Sequence, residues 1–445
     1  MRKSHAVVLA TVLAVTALPA RSALVGDVAA SSENVERVGG DQGRPGGHVV
    51  VEGNRLYVGS DGLGLRIYDI SDPATPRFLG EYTPALGGDA RPRTDAVPDA
   101  AVFGNRHLAV VNGTGRVPGL TPVTEFLDVT NPAVPIVLHT FAGPDDGEAH
   151  NGDIVDERAL WVPSGGGGND GLRIYDMRPL LASPPSAPEA TFGGNPVTLW
   201  RSSPHRKGRP VGEEFTHTHD VSVYPNYEMV VDGQRVRRDI LLLAEGGQYA
   251  EDAGDTGSIF VIDVTNPTQP VVLNRWLHHR GEGHHPIRYH HEAQFLDGDP
   301  RVMLVTDEDL HNGCGSAGGI VALRVSDDLE SATELSEWFI PEGTPAPSCS
   351  VHVFSSSGSL VFLGSFNAGL QVVDYADAAR PRQVGHYIAP GTVAWGAQHH
   401  RGYVYVGDTA RGLDVFRYTG PQPANPASPV PLPSPVTTTV GGVIP

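Results

Sequence analysis

The chain has 445 residues, a formal net charge of -19, 54 glycines, 38 prolines and two cysteines. A field of that sign repels phosphate backbones and anionic headgroups, which argues against nucleic acid and membrane surface as partners. Glycine and proline at this density punctuate many short strands, and the periodicity of amphipathic helices is nearly absent.

Met1–Ser22 reads as an export leader. Arg2 and Lys3 form a basic head, Ala6–Ala20 is apolar but too short to span a bilayer, and Ala20-Arg21-Ser22 supplies small residues where a signal peptidase cuts. No later segment reaches the eighteen or so apolar residues of a membrane helix. The mature chain is therefore expected to be secreted, and more acidic still once its leader has gone.

Glu33–Gly39 (ENVERVG) follows, with no partner nearby. His48–Tyr82 then parses as four strands: His48–Val51, Leu56–Gly59, Leu65–Ile70 and Phe78–Tyr82. Gly53-Asn54, Asp61-Gly62 and Asp72-Pro73 fill the gaps with residues that tolerate positive φ or preset a turn. One such sheet cannot bury both faces alone.

Copies of it follow. The third strand recurs as Thr124–Val129, Leu172–Met177, Ile259–Val264, Ile320–Val325, Leu370–Tyr375 and Leu413–Tyr418, several trailed by a turn like SDPATP or TNPTQP. Seven units at a spacing of roughly fifty residues predict an all-β, single seven-bladed propeller with four-stranded antiparallel blades over residues 23–419. The last unit has only three strands before a Pro-rich segment, 420–445, which is expected to be a disordered tail. Residues 33–39 look like the fourth strands RFLGEY and RQVGHY, so they are expected to pair onto Leu413–Tyr418 and close the ring, removing its open edges.

The repeated LRIYD, IFVID and LQVVD strands, with their Pro-bracketed turns, resemble the LVIVD-repeat family of bacterial β-propellers. That resemblance implies the architecture and leaves activity open. Cys314 and Cys349, in an exported chain, predict a disulfide from the blade-five loop to the start of blade six; two small buried thiols are the alternative.

In a propeller the first strand of each blade lines the central channel. Reading the heads of those strands gives His48; Asp99; Glu148 with His150; His217, His219 and Asp220; His290, His291 and Glu292; and His352, while blade seven brings Trp395. Five of seven blades thus carry an imidazole to one rim. His217 and His219 lie two apart and share a face, whereas only one of His290 and His291 can look inward, and His291 fits better. The candidate metal ligands are therefore His48, His150, His217, His219, His291 and His352, for a divalent transition ion such as Zn, Fe, Cu or Mn. Glu148, Asp220 and Glu292 are the candidate catalytic carboxylates, able to orient an imidazole or act as a base on bound water. Strict strand alternation, however, sends Asp220 and Glu292 to the other side of the sheet, where they would satisfy backbone groups between blades.

This plan looks similar to the histidine-held iron centre of carotenoid-cleaving dioxygenases and to the exported copper-dependent methanethiol oxidases related to selenium-binding proteins. Neither family's motifs match residue by residue, so no roles are transferred. The cluster His278–His285 reads as a lid, a metal-capture loop or a solvated tract, and His399-His400 belongs to the opposite face. Gly165–Gly168 has no following helix to cradle phosphate. The acidic turns Asp297/Asp299 and Asp307/Asp309 lack a full set of calcium ligands.

Two functions fit. One is a secreted metal-dependent oxidoreductase or hydrolase acting on a small substrate at the channel mouth, walled by the long loops Gly87–Pro98, Pro179–Phe215 and Gln248–Gly257. The other is a non-catalytic extracellular scaffold that binds a protein partner, for which the Pro-rich tail would be a spacer. In either case a monomer is expected.

Overall fold

A computed structural model of the chain describes residues 28–60, 64–84, 98–103, 106–112, 123–142, 149–155, 158–164, 172–181, 197–201, 218–246, 257–276, 289–308, 314–315 and 318–422. The leader, most of the Pro-rich tail, the glycine run and most of each long loop named above lie outside them.

Seven antiparallel sheets succeed one another along the chain. Their first strands are Val49–Glu52, Pro98–Phe103, Gly152–Val155, Thr218–Val231, His290–Leu296, Phe354–Ser357 and Ala394–His400. These stand side by side around a common axis, and each blade steps outward from its own. Blade one shows the pattern, with Val49 opposite Val58, Leu56 opposite Tyr68 and Ile67 opposite Gly80. The only α-helix among the described residues is Arg178–Leu181.

Seven hydrophobic clusters fill the seven joints between neighbouring blades. Alternate side chains of each twisted sheet pack against the next blade on either side, so a lone blade could bury neither face. The aspartate that ends the repeated third strand has its own task. Asp69, Asp128, Asp263 and Asp374 each accept a hydrogen bond from the backbone N–H two residues on, at 2.8–2.9 Å. That Asx turn starts the Pro-bracketed loop, which is why the sequence pattern ends on Asp.

The ring closes as the sequence suggests, though by a longer strand. Val35–Gln42 pairs antiparallel with Gly412–Tyr418, and Arg37 donates to Asp414 at 2.5 Å inside a buried ion pair. The preceding Ala30–Ser31 was not legible as a strand; it adds a fifth strand to blade six opposite Tyr387 and Ile388. One segment therefore staples blades six and seven together.

Cys314 and Cys349 form the disulfide, tying the blade-five loop to the start of blade six. The cysteines stand 35 positions apart in sequence, so loop-closure entropy predicts that Cys314→Ser/Cys349→Ser lowers stability by about 4 kcal/mol. Equilibrium urea unfolding checks this; an unchanged midpoint would mean that packing alone holds the connection.

Candidate metal centre

Five imidazoles gather at one end of the axis. Ring centroids are 4.5 Å apart between His150 and His219, 4.2 Å between His219 and His291, 4.1 Å between His291 and His352, and 5.7 Å between His352 and His48. Blade seven contributes Trp395, whose indole lies 4.3 Å from the His352 ring and 6.4 Å from that of His48. His290 turns away and meets Trp276 instead, so His291 is the inward member of its pair. His399 stacks on Phe362 at the far end of blade seven, apart from this group. His217, Glu148 and the His278–His285 loop lie outside the described residues, as does the Asp99 side chain.

Backbone carbonyls set the orientation of two rings. Nδ1 of His219 donates to the His291 carbonyl at 3.1 Å, and Nδ1 of His352 donates to the Trp395 carbonyl at 2.8 Å. A carbonyl only accepts, so each Nδ1 carries the proton and each Nε2 keeps a lone pair. This is how a ligand histidine is fixed in its tautomer. His291 is 1% exposed, and neither ring nitrogen makes a hydrogen bond among the described residues. A buried imidazole left so is expensive unless something else binds it.

A carboxylate completes the group. Ligand atoms of His219, His291 and Glu308 all lie within 4.8 Å of one another, with Glu308 Oε2 3.8 Å from His291 Nε2. Glu308 follows the second strand of blade five, and its N–H donates to the Tyr289 carbonyl beside the head of the first strand. The sequence reading passed over it between Asp307 and Asp309. The missed signal was pairing: His290 lies opposite Asp307, so the next residue must stand at the rim. Asp307 itself accepts the Tyr289 N–H and serves the backbone.

The strict alternation expected of the inner strands fails at the site. Register shifts interrupt pairing between Thr218 and Asp220, between His290 and Ala293, and between Ala394 and Gly396. Such bulges re-aim side chains. His219 and His291 join the imidazole cluster, while the residues after them, Asp220 and Glu292, line an axial cavity of about 510 Å³ directly beneath it. Glu292 also does what alternation suggested, accepting the Phe354 N–H of blade six at 3.1 Å and a bond from Gln294. Among the described residues Asp220 accepts only from the adjacent Val221 N–H.

Electrostatics follows from burial. Desolvation, then repulsion from His150, pushes His48 down to about 3. His219, His291 and His352 are held well below the ordinary imidazole value, first by desolvation and then by neighbouring imidazoles of the cluster, His150 and His48 included. His48, His219, His291 and His352 are thus neutral at physiological pH, the state in which imidazole binds metal. Desolvation pushes Glu292 up to about 8, and it raises Asp220 with help from Glu292.

With this geometry in place, comparison identifies the repeat. Residues 43–84 match the LVIVD repeat. The LVIVD match spans blade one, and no curated protein matches the chain. Among solved structures, the WD40 repeats of RRP9 align over 88% of this chain and 99% of that one, at 10% identity and a TM-score of 0.52. The WD40 propeller domain of Doa1 aligns over 86% and 97%, at 10% identity and a TM-score of 0.51. These likenesses concern the fold alone.

Neutral buried imidazoles make stability depend on acid. Above the ordinary value of 6.5 folded and unfolded chains are both neutral at His48, and it contributes no pH dependence; below 6.5 only the unfolded chain gains the proton, until about pH 3. Metal-free protein should therefore lose urea resistance as pH falls from 7 towards 4, and His48→Gln should lose it less steeply. Parallel pH profiles for the two proteins would show that His48 is protonated in the folded ring.

Proposed function

We propose that the protein is an exported metal-dependent enzyme of the LVIVD-repeat type, acting on a small substrate at the channel axis. The observation that carries this reading is the group His219, His291 and Glu308, in which the buried His291 ring has no hydrogen-bond partner among the described residues. Two imidazoles and one carboxylate suit Zn or non-haem Fe, and they leave positions open for water or substrate. Such an ion supplies Lewis acidity, or a nucleophile from bound water, for hydrolysis or oxidation. His352 and His150 flank the group and His48 stands beyond them, as a reserve of further ligands.

Asp220 is the better candidate for moving a proton. Among the described residues its carboxylate makes a single local bond, and it faces the cavity, whereas that of Glu292 also bridges blades five and six. The disulfide supports an oxidising compartment, in keeping with export. No helix among the described residues is long and apolar enough to cross a membrane.

Metal analysis of the purified chain tests the reading. One equivalent of a transition ion is expected, falling at least tenfold in His219→Ala, His291→Ala and Glu308→Gln. Asp220→Asn should retain the ion and lose turnover in a screen of small esters, phosphoesters and oxidisable substrates. Trace metal that none of the three ligand variants alters would favour a scaffold without a centre.

A further inference from the structure

The axial cavity has a direction. On every blade whose wall is described it begins next to the imidazole cluster and runs away from it. Its lining includes Asn151 to Asp153 after His150, Asp220 to Tyr224 after His219, and Val353 to Ser356 after His352. On blade five it extends from Glu292 to Asp297, an exposed residue at the turn that ends the inner strand. Five residues of strand at roughly 3.3 Å each make a passage about 16 Å long. The lining changes character little along it: carboxylates come from Asp153, Asp220, Glu292 and Asp297, amides from Asn151, Gln294 and Gln398, and no lysine or arginine lies among the described lining residues.

At the inner end stand His150, His219, His291 and His352, each no more than 7% exposed. An ion bound there needs a way in, and the orphaned His291 nitrogens show where a ligand is wanted.

We propose that the axial cavity is the entrance to the metal centre, opening on the face away from the imidazoles, and that it admits the hydrated divalent cation. This rests on the metal-centre reading above. Asp153 and the exposed Asp297 put carboxylate oxygens along the passage, and no cationic side chain of the described lining opposes them. The buried Asp220 and Glu292, whose neutral forms desolvation favours, add oxygen ligands. Such a lining favours cations over anions, as in cation-selective pores. The direction of entry also means that small neutral or cationic substrates meet Asp220 and Glu292 before they meet the ion. Anionic substrates are disfavoured along the whole length.

The chain's two cysteines are both in the disulfide, so Ser222→Cys places a single thiol in the cavity wall between Asp220 and Tyr224. The folded, metal-free variant is treated with pyrenyl maleimide, its labelling is measured by mass, and Co(II) loading is followed by absorbance before and after. Expected are ready labelling, loading at least tenfold slower in the labelled protein, and a loading rate in the unlabelled protein that falls as salt screens the carboxylates. A thiol that resists labelling overturns the entrance, as does an unchanged loading rate after complete labelling. A rate indifferent to salt overturns the preference for cations. Failure of wild-type protein to bind Co(II) at all removes the metal centre instead, and the labelling result still reports whether the cavity is open.

Discussion

An inner strand of a propeller pairs with its own blade on one side only. Its other edge faces the axis, and the N–H and C=O groups there must find partners or lose the free energy of a hydrogen bond. Here side chains of one blade serve the edge of the next. Asp153 accepts from the Val223 N–H, Tyr224 from Phe295, Glu292 from Phe354, Ser355 from His399 and Gln398 from Val51. Five consecutive joints, from blade three round to blade one, are closed in the same sense.

The imidazoles extend this solution to the carbonyls. His219 and His352 each donate to the first strand of the following blade, and Asn151 and Ser164 donate to the His219 carbonyl. An imidazole has a second nitrogen, so a histidine that caps an edge with Nδ1 still presents Nε2. Fold and site therefore share atoms: the bonds that hold the blades in a ring also preorganise the ligands.

That sharing explains what could be read in advance. Repetition fixes the blades because every third strand must pack in the same way, and the terminal Asp must start the same turn. The imidazole cluster was legible for the same reason, since equivalent positions of a repeat converge on the axis. Glu308 was not, and although Asp220 and Glu292 stood out as candidate carboxylates, strand alternation could not place them inward. Each depends on a bulge or a strand end that breaks the repeat, and alternation of side chains carries no trace of either. Ala30–Ser31 escaped because two residues form no pattern; their place is set by the edge of blade six.

A sevenfold ring cannot by itself prefer one sector, so the centre must lie where the blades differ. Blade four departs most. Its first two strands, Thr218–Val231 and Gln234–Gly246, have 14 and 13 residues and outreach every other hairpin among the described residues. The added length reaches over blade five: Tyr227 Oη donates to the Pro300 carbonyl at 2.7 Å, and the Val230 N–H donates to the Asp327 carbonyl at 2.8 Å. Tyr227 and Met229 join the core shared by the two blades, with Tyr227 stacked on Phe295. Both blades carry a bulge at the head of the inner strand, and they alone supply His219, His291 and Glu308. A clamp on this joint restrains the distance between the two imidazoles, which neighbouring blades joined only near the axis would leave to the twist of each sheet. The long hairpin is thus best understood as a brace for the ligands at its opposite end.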